Sequence, residues 1–246
     1  MSFETILFLG LGAVVGGFIN GLAGTGTALF ALGFLLLVLE PTPAVAVIAL
    51  LSVLASVQGV WMVRHQIVQQ PRRLLRFLIP GLVGVPIGGL LLVFVDASML
   101  RIGIGVLLLS YGSYFGFRSA LPALTRPTPV ADSAIGFAGG VLGAAALAGT
   151  LPTMWMSLRP WSKAETRAVL QPFNFIILSV AICLLIGRGA YDGEVLRALV
   201  ITLPIGLIAA QVGIWVFKRI SDTAFRRLLV LMTFGTGGIV LLSELL

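Results

Sequence analysis

The chain alternates long apolar runs with short charged stretches, and the spacing of the charges predicts membrane-spanning helices. A helix needs about 20 residues to cross a bilayer. Two uncharged intervals, 5–39 and 133–158, are longer than one crossing requires, with 35 and 26 residues. Six other intervals suit one crossing each, namely about 41–63, 77–95, 102–117, 168–187, 198–217 and 228–243. The pattern therefore predicts an all-α integral membrane protein with two segments that need a different explanation.

Both long intervals are interrupted near their centres by residues that break helices. The first reads NGLAGTGT at residues 20–27, and the second has Gly149 followed by Pro152. Unpaired backbone groups are costly in hydrocarbon, so such breaks occur where protein or a polar cavity covers them. We interpret 133–158 as a re-entrant pair of half-helices, because it is too short for two crossings. For 5–39, a re-entrant hairpin and two short full crossings both remain open.

The distribution of Lys and Arg orients the predicted helices. If both long intervals return to the side that they entered, thirteen of the sixteen Lys and Arg residues fall in loops on one side. These loops are 64–76, 118–132, 159–167 and 218–227. Cytoplasmic loops are enriched in Lys and Arg, so this side is predicted to be the cytoplasm, with the N-terminus in the periplasm. The Lys and Arg residues that produce the net charge of +7 are concentrated in these loops, and this clustering does not indicate nucleic-acid binding.

Composition supports a membrane protein and limits the chemistry that it can perform. The chain is 59% hydrophobic and 10% charged, with a mean hydropathy of +1.11. Its single cysteine excludes an intrachain disulfide, and no cofactor or metal site is predicted. Every Asp and Glu lies at or near the end of a predicted span. With no carboxylate in mid-membrane to carry a proton or act as a catalytic base, we do not expect an enzyme.

The two halves of the chain carry the same motif. The sequence GFINGLAG at residues 17–24 matches GFAGGVLG at residues 136–143. Two further matches follow in the same order, Pro80 with Pro204, and DxxxxR at 96–101 with DxxxxR at 222–227. We predict two repeats, about 5–117 and 132–246, joined by a linker at 118–131. Each repeat has a hairpin and three crossings, and an odd number of crossings makes the two repeats inverted, as in many secondary transporters.

Hairpins that enter from opposite sides would bring their tips together near the middle of the bilayer. Where the second half-helix of each hairpin begins, free N–H groups and a positive dipole end favour an anion. Hydroxyl, amide and guanidinium side chains could add donors, and glycines allow close approach. The predicted substrate-binding residues are Asn20, Gly24, Thr25, Gly26, Thr27, Ser52, Gly149, Thr150, Thr153, Arg167, Gln171 and Asn174.

Some of these residues have an equally good structural explanation. Arg167, Gln171 and Asn174 are spaced i, i+4, i+7 and share one helix face, which either lines a polar cavity or bonds neighbouring elements. In the second case Arg167 would reach the cytoplasmic interface. Ser52 could bond its own helix backbone, and Asn20 could cap a half-helix.

Over essentially its whole length, the sequence resembles the sulfite exporter TauE/SafE family of bacterial membrane permeases. The resemblance rests on GFINGLAGTGTALF followed by AVAV in the first half, and on GGVLGAAALAGTLPTMW followed by KAETRAVLQPFNF in the second. At two places the family usually has a run that is richer in glycine than the one in this chain. This chain has AGTGT at the first place and LGAAALAGT at the second. The resemblance implies movement of a sulfur-containing oxyanion, such as sulfite or an organosulfonate, across the bacterial inner membrane.

These observations favour a secondary transporter or uniporter that exports the anion by alternating access. Outward movement of an anion across an inside-negative membrane is favourable by about 2.3 kcal/mol per charge per 100 mV, so export needs no coupling ion. The alternative is an anion channel on the same scaffold. A third hypothesis, an intramembrane enzyme or assembly factor, lacks a reactive constellation in the sequence. The predicted partners are a small anionic substrate and the lipid bilayer, and the sequence is compatible with a homo-oligomer.

Overall fold

The computed structural model describes residues 2–94, 105–106, 109–110, 112–114 and 124–245, and its regular elements there are α-helices. The helices of six or more residues are α1 (Phe3–Ala23), α2 (Thr27–Leu35), α3 (Pro41–Met62), α4 (Arg64–Gln69), α5 (Pro71–Phe94), α6 (Pro129–Gly143), α7 (Thr150–Ser157), α8 (Lys163–Gly187), α9 (Gly193–Arg219) and α10 (Asp222–Leu245).

Five of these helices, α1, α3, α5, α8 and α9, are long and apolar enough to cross a membrane. The prediction of an all-α, multi-pass membrane protein is confirmed. Four of the predicted single crossings coincide with helices on this list, and the interval 228–243 lies within α10. The interval 102–117 lies mostly outside the described residues, as do the motif at 96–101 and the first part of the linker, 118–123.

Local sequence explains where several helices begin. Ser162 and Glu165 form a capping box at the start of α8, in which each side chain accepts the backbone N–H of the other residue. The Asp192 side chain accepts two backbone N–H groups at the start of α9. Proline is the first residue of α3, α5 and α6, where its missing N–H would have had no helical partner.

The first hairpin breaks at the predicted glycines. Gly24 ends α1 with φ of 82°, and Gly26 precedes α2 with φ of 94°. Both values lie in the left-handed region that a residue with a Cβ rarely adopts. The nine residues of α2 extend about 13 Å at 1.5 Å per residue. That is less than half of a hydrocarbon core about 30 Å thick, which favours a re-entrant hairpin over two full crossings.

The second hairpin breaks earlier than the sequence suggested. We expected the break at Gly149 and Pro152, but α6 ends at Gly143 and the turn begins at Ala144. Ala146 takes the left-handed conformation, with φ of 61°. Gly149 has an ordinary φ of −78°, and Pro152 lies in the first turn of α7. A proline is tolerated there because that N–H has no acceptor within the helix.

The four Arg-rich loops meet at one end of the helical bundle. Each of the following contacts joins the loop at 159–167 to one of the other three. They are the ion pair Arg73 Nη1 to Glu165 Oε1 at 2.7 Å, the Arg159 Nη1 donation to Arg126 O at 2.8 Å, and the Lys163 N–H donation to Asp222 Oδ1 at 3.0 Å. This end is the one that the charge distribution predicts to be cytoplasmic.

The opposite end is held by contacts between other helix termini. Arg188 Nη2 donates to Gly89 O at 3.1 Å, and the Tyr191 hydroxyl donates to Ala46 O at 3.1 Å. Burial raises the pKa of Tyr191 to about 12, so this hydroxyl keeps its proton, and its role as donor, throughout the physiological range.

Each hairpin packs closely against a crossing helix from the other half of the chain. A Cβ added to Gly21 of α1 would lie 2.0 Å from the carbonyl oxygen of Ala210 in α9. In the same motif position of the second half, a Cβ added to Gly140 of α6 would lie 2.0 Å from the carbonyl oxygen of Gly81 in α5. Only glycine permits such close approach of two helix backbones.

The order of these contacts gives the direction of each hairpin. Gly17 and Gly21 approach Gly206 and Ala210, so α1 runs parallel to α9, which ends among the Arg-rich loops. The equivalent glycines of α6 approach Phe77 and then Gly81, so α6 runs parallel to α5, which begins among these loops. The two hairpins thus enter the bundle from opposite ends, which supports the predicted inversion of the repeats.

A buried ion pair holds the Arg-rich end together. Arg159 Nη2 lies 2.7 Å from Asp132 Oδ1, and both side chains are almost fully buried. The same oxygen accepts a hydrogen bond from Trp155 Nε1 at 2.8 Å.

We expect Asp132→Asn to lower the free energy of unfolding by about 2 kcal/mol, because Arg159 would keep a buried charge without a carboxylate. The loss stays moderate because asparagine still accepts the Trp155 hydrogen bond. Thermal unfolding in detergent measures the change, and Glu40→Gln, at an exposed carboxylate, is the control. An equal loss in both variants would contradict the prediction.

Candidate functional site

The tips of the two hairpins touch. A Cβ added to Gly149 in the second tip would lie 1.6 Å from Thr25 Oγ1 in the first, so the backbone of one tip lies directly against a side chain of the other. Two adjoining cavities of about 10 Å³ each lie at this contact. A volume of this size holds about one water molecule, so the space between the tips is small.

Most of the predicted binding residues line this space. One cavity is lined by residues of both tips together with Ser52 of α3 and Asn174 of α8. The other is lined by residues of both tips, Thr153 of α7 and two residues of α10. The predicted residues that line the cavities are Thr25, Gly26, Thr27, Ser52, Gly149, Thr150, Thr153 and Asn174. The remaining four, Asn20, Gly24, Arg167 and Gln171, lie behind the first tip.

Several lining residues were not among the predicted ones. Four are apolar residues of the tips, Ala28, Leu29, Ala146 and Leu147, and two belong to α10, Met232 and Thr233. The Thr233 hydroxyl bonds Leu229 O of its own helix. Because threonine commonly does this in membrane helices, its presence in an apolar run gave no signal of a site.

Two hydroxyl groups at the second tip have no hydrogen-bond partner. Thr150 Oγ1 and Thr153 Oγ1 are buried and make no hydrogen bond with any described group. Leaving a buried polar group unpaired costs about 1–3 kcal/mol. Such groups are rare in native structures and call for an explanation, such as a bound water or ligand.

In the first tip, hydrogen bonds orient a donor toward the cavity. Thr27 Oγ1 accepts a hydrogen bond from Asn20 Nδ2 at 2.8 Å, which leaves the Thr27 hydroxyl proton for another acceptor. Asn20 is fully buried, and its Oδ1 accepts from the Ser56 hydroxyl at 3.3 Å. Its Nδ2 also donates to Ser52 O at 3.4 Å. Asn20 therefore acts on the cavity through Thr27.

Arg167 and Gln171 form a separate cluster at the end of α1. Arg167 Nε donates to Gln171 Oε1, and Arg167 Nη1 lies 3.5 Å from Leu22 O. Both side chains pack against Gly24, where an added Cβ would lie 3.1 Å from Gln171 Oε1 and 3.4 Å from Arg167 Cγ. The guanidinium also stacks on Phe217, with Cζ 4.4 Å from the ring centroid.

The charge of Arg167 has no carboxylate partner among the described residues. Its side chain is fully buried and does not reach the interface, unlike the snorkelling alternative, and its Nη2 makes no hydrogen bond. Besides Gln171 Oε1, the guanidinium meets the carbonyl end of α1, which carries a partial negative charge. A buried, unpaired guanidinium therefore lies directly behind the first tip.

The chemistry at the tips suits an anion. The N-termini of α2 and α7 both lie at the cavities. The first N–H groups of α2 lack helical acceptors. At the start of α7, the Thr150 N–H already donates to Leu147 O, and Pro152 has no N–H. The lining side chains are hydroxyls, an amide and apolar groups, without a carboxylate. Within the described ranges, no group of three His, Cys, Asp or Glu side chains could hold a metal ion.

Comparison with known proteins identifies the family of the chain. A family model described as Sulfite exporter TauE/SafE matches residues 8–240, nearly the whole chain. No curated protein and no solved structure matches the chain. The family comprises membrane transporters of sulfite and related anions. The extent of the match, together with the multi-pass helical fold, places this chain in the TauE/SafE sulfite exporter family.

Proposed function

We propose that the protein exports a small sulfur-containing oxyanion, sulfite or an organosulfonate, and binds it between the two hairpin tips. The observation that carries this proposal is the pair of buried hydroxyls, Thr150 and Thr153, without partners beside two helix N-termini. An oxyanion would accept hydrogen bonds from both hydroxyls and from the free N–H groups of α2.

The first tip would supply the remaining hydrogen-bond donors to the anion. Thr27 would donate its remaining proton, Thr25 would add a second hydroxyl, and Ser52 and Asn174 would contact the anion from the crossing helices. Asn20 would hold Thr27 in place through its 2.8 Å hydrogen bond. Two glycines, Gly26 and Gly149, would let the oxygen atoms approach the backbone.

Arg167 would supply the fixed positive charge of the site. It lies behind Gly24, and a charge in a low-dielectric interior acts over several ångströms. The charge would lower the cost of dehydrating the anion, and Gln171 would keep the guanidinium oriented. In this arrangement Arg167 and Gln171 are positioning and electrostatic residues, because they do not line the cavities.

Transport would proceed by alternating access between two inverted repeats, residues 5–117 and 132–246. The small size of the cavities favours a transporter over an anion channel, since about 10 Å³ holds one water and cannot conduct a sulfite ion without rearrangement. Outward movement across the bacterial inner membrane, with the N-terminus in the periplasm, would be driven by the inside-negative potential.

The Thr→Val test separates a role in binding from a role in folding. Valine has nearly the shape of threonine but no hydroxyl, so Thr150→Val and Thr153→Val should each weaken sulfite transport about tenfold. Because neither hydroxyl bonds a described group, the free energy of unfolding should be unchanged or slightly increased. Sulfite flux in proteoliposomes and thermal unfolding in detergent measure the two effects.

A matched control is Thr202→Val in α9. Thr202 is fully buried, but its hydroxyl bonds Ala198 O of its own helix at 2.9 Å. This variant should transport at the wild-type rate. Wild-type flux in both tip variants would argue against the site, and currents far above transporter turnover would favour the channel. Thermal shifts with sulfite, sulfate, thiosulfate, sulfoacetate and taurine would identify the preferred anion, since a bound ligand stabilises the folded state.

A further inference from the structure

A pocket lies among the Arg-rich loops, separate from the cavities between the hairpin tips. Its volume is about 160 Å³. It is bounded by the first two turns of α5, the residues before α6, and the loop between α7 and α8. The polar and aromatic side chains around it include Arg73, Arg76, Thr125, Asp132, Arg159 and Trp161.

The lining carries more positive than negative charge. Three guanidinium groups face one carboxylate, that of Asp132, which is already paired with Arg159 at 2.7 Å. Arg73 is paired with Glu165, also at 2.7 Å, from outside the lining. Arg76 is exposed and makes no hydrogen bond or ion pair with any described residue. One positive charge at the pocket is therefore without a counterion.

A second observation points to a missing acceptor. Arg159 lines the pocket with only 3% of its surface exposed, and its Nε makes no hydrogen bond with any described group. Its two other nitrogen atoms already donate to Asp132, to Thr128 and to backbone carbonyls. A buried N–H without an acceptor is costly, and an anionic oxygen in the pocket would satisfy it.

We propose that this pocket binds a tetrahedral oxyanion of the phosphate type, independently of the transport site. The surface of α5 favours a phospholipid headgroup as its source. Ile79 and Val83 follow Arg76 on the same face of α5 and are 59% and 55% exposed. An acyl chain could follow these residues while the phosphate meets Arg76 at the end of the helix. Basic pockets at the cytoplasmic ends of membrane helices are suited to anionic headgroups.

The test uses the purified full-length protein in a neutral detergent. Its unfolding temperature is measured with increasing phosphatidylglycerol, with zwitterionic phosphatidylcholine, and with inorganic phosphate against chloride at equal ionic strength. Arg76→Gln removes the unpaired charge, and because this side chain is exposed and bonds no described residue, the variant should fold normally. Arg72→Gln is the matched control, since Arg72 is also an exposed α5 arginine but does not line the pocket.

Phosphatidylglycerol should raise the unfolding temperature more than phosphatidylcholine does. Arg76→Gln should weaken the apparent affinity about tenfold, while Arg72→Gln leaves it near the wild-type value. A similar Arg76-dependent rise with inorganic phosphate, but not with the lipid, would support the site and assign it to a soluble anion. If neither ligand distinguishes Arg76→Gln from Arg72→Gln, the proposal is wrong. Sulfite flux, which tests the transport site, does not enter this comparison.

Discussion

Arg167→Met should reduce sulfite transport about 100-fold or more while leaving the protein folded. A unit charge within several ångströms of an anion contributes about 3 kcal/mol of binding free energy at an effective dielectric constant near 20, which corresponds to about 100-fold. Folding should change by no more than about 1 kcal/mol, because two effects oppose each other. Removing an unpaired buried charge is favourable, whereas leaving Leu22 O and Gln171 Oε1 without their donor is not.

Methionine is the informative substitution because it keeps the length and apolar contacts of the arginine stem. Potential-driven sulfite efflux from proteoliposomes measures function, and thermal unfolding in detergent measures folding. Arg219→Met is the control, since Arg219 is exposed and stacks on Trp215 at 3.6 Å. Near-normal efflux by a folded Arg167→Met protein would remove Arg167 from the proposed mechanism.

Gly21→Ala and Gly140→Ala should each lower the free energy of unfolding by about 3 kcal/mol or more. In both cases the added Cβ would lie 2.0 Å from a backbone carbonyl oxygen of the neighbouring helix. Backbone cannot rotate away as a side chain can, so the two helices must separate and lose packing along their length. Thermal unfolding in detergent provides the measurement.

Gly33→Ala in α2 is the control for this pair. An added Cβ there meets no atom within 4 Å, so only helix propensity should act, and this favours alanine by up to about 1 kcal/mol. Similar losses in Gly21→Ala and Gly140→Ala would indicate that the two motif positions contribute equally to the stability of the fold. A gain in either motif variant would mean that the helices are not as close as described.

The architecture was predictable from the sequence because the bilayer imposes simple lengths and charges. Uncharged intervals predicted the helices α3, α5, α8 and α9, and the placement of arginine predicted which loops meet. The break at Gly24 and Gly26 was predictable because left-handed backbone at both positions requires glycine. The break near Ala146 was not, since alanine is a strong helix former and gives no sign that tertiary packing will hold it at a φ of 61°.

The site was predictable in part for a similar reason. Residue type and depth selected the threonines of both tips, and eight of the twelve predicted residues line the cavities. Helical spacing put Arg167, Gln171 and Asn174 on one face, but it could not show what that face would meet. Arg167 on this face meets the end of α1, and of the three residues only Asn174 lines a cavity. What a helix face packs against depends on contacts between elements that are distant in sequence, and helical periodicity does not reveal those contacts.

The close contacts at the glycines determine which helices of the protein would move together. The first hairpin is fixed backbone to backbone to α9, and the second to α5, so each hairpin belongs mechanically to a helix from the other half. In the proposed alternating access, a motion that opens the tips would carry these mixed pairs as rigid bodies. The predicted repeat would then differ from the unit that moves, and neither half of the chain would contain a complete moving part.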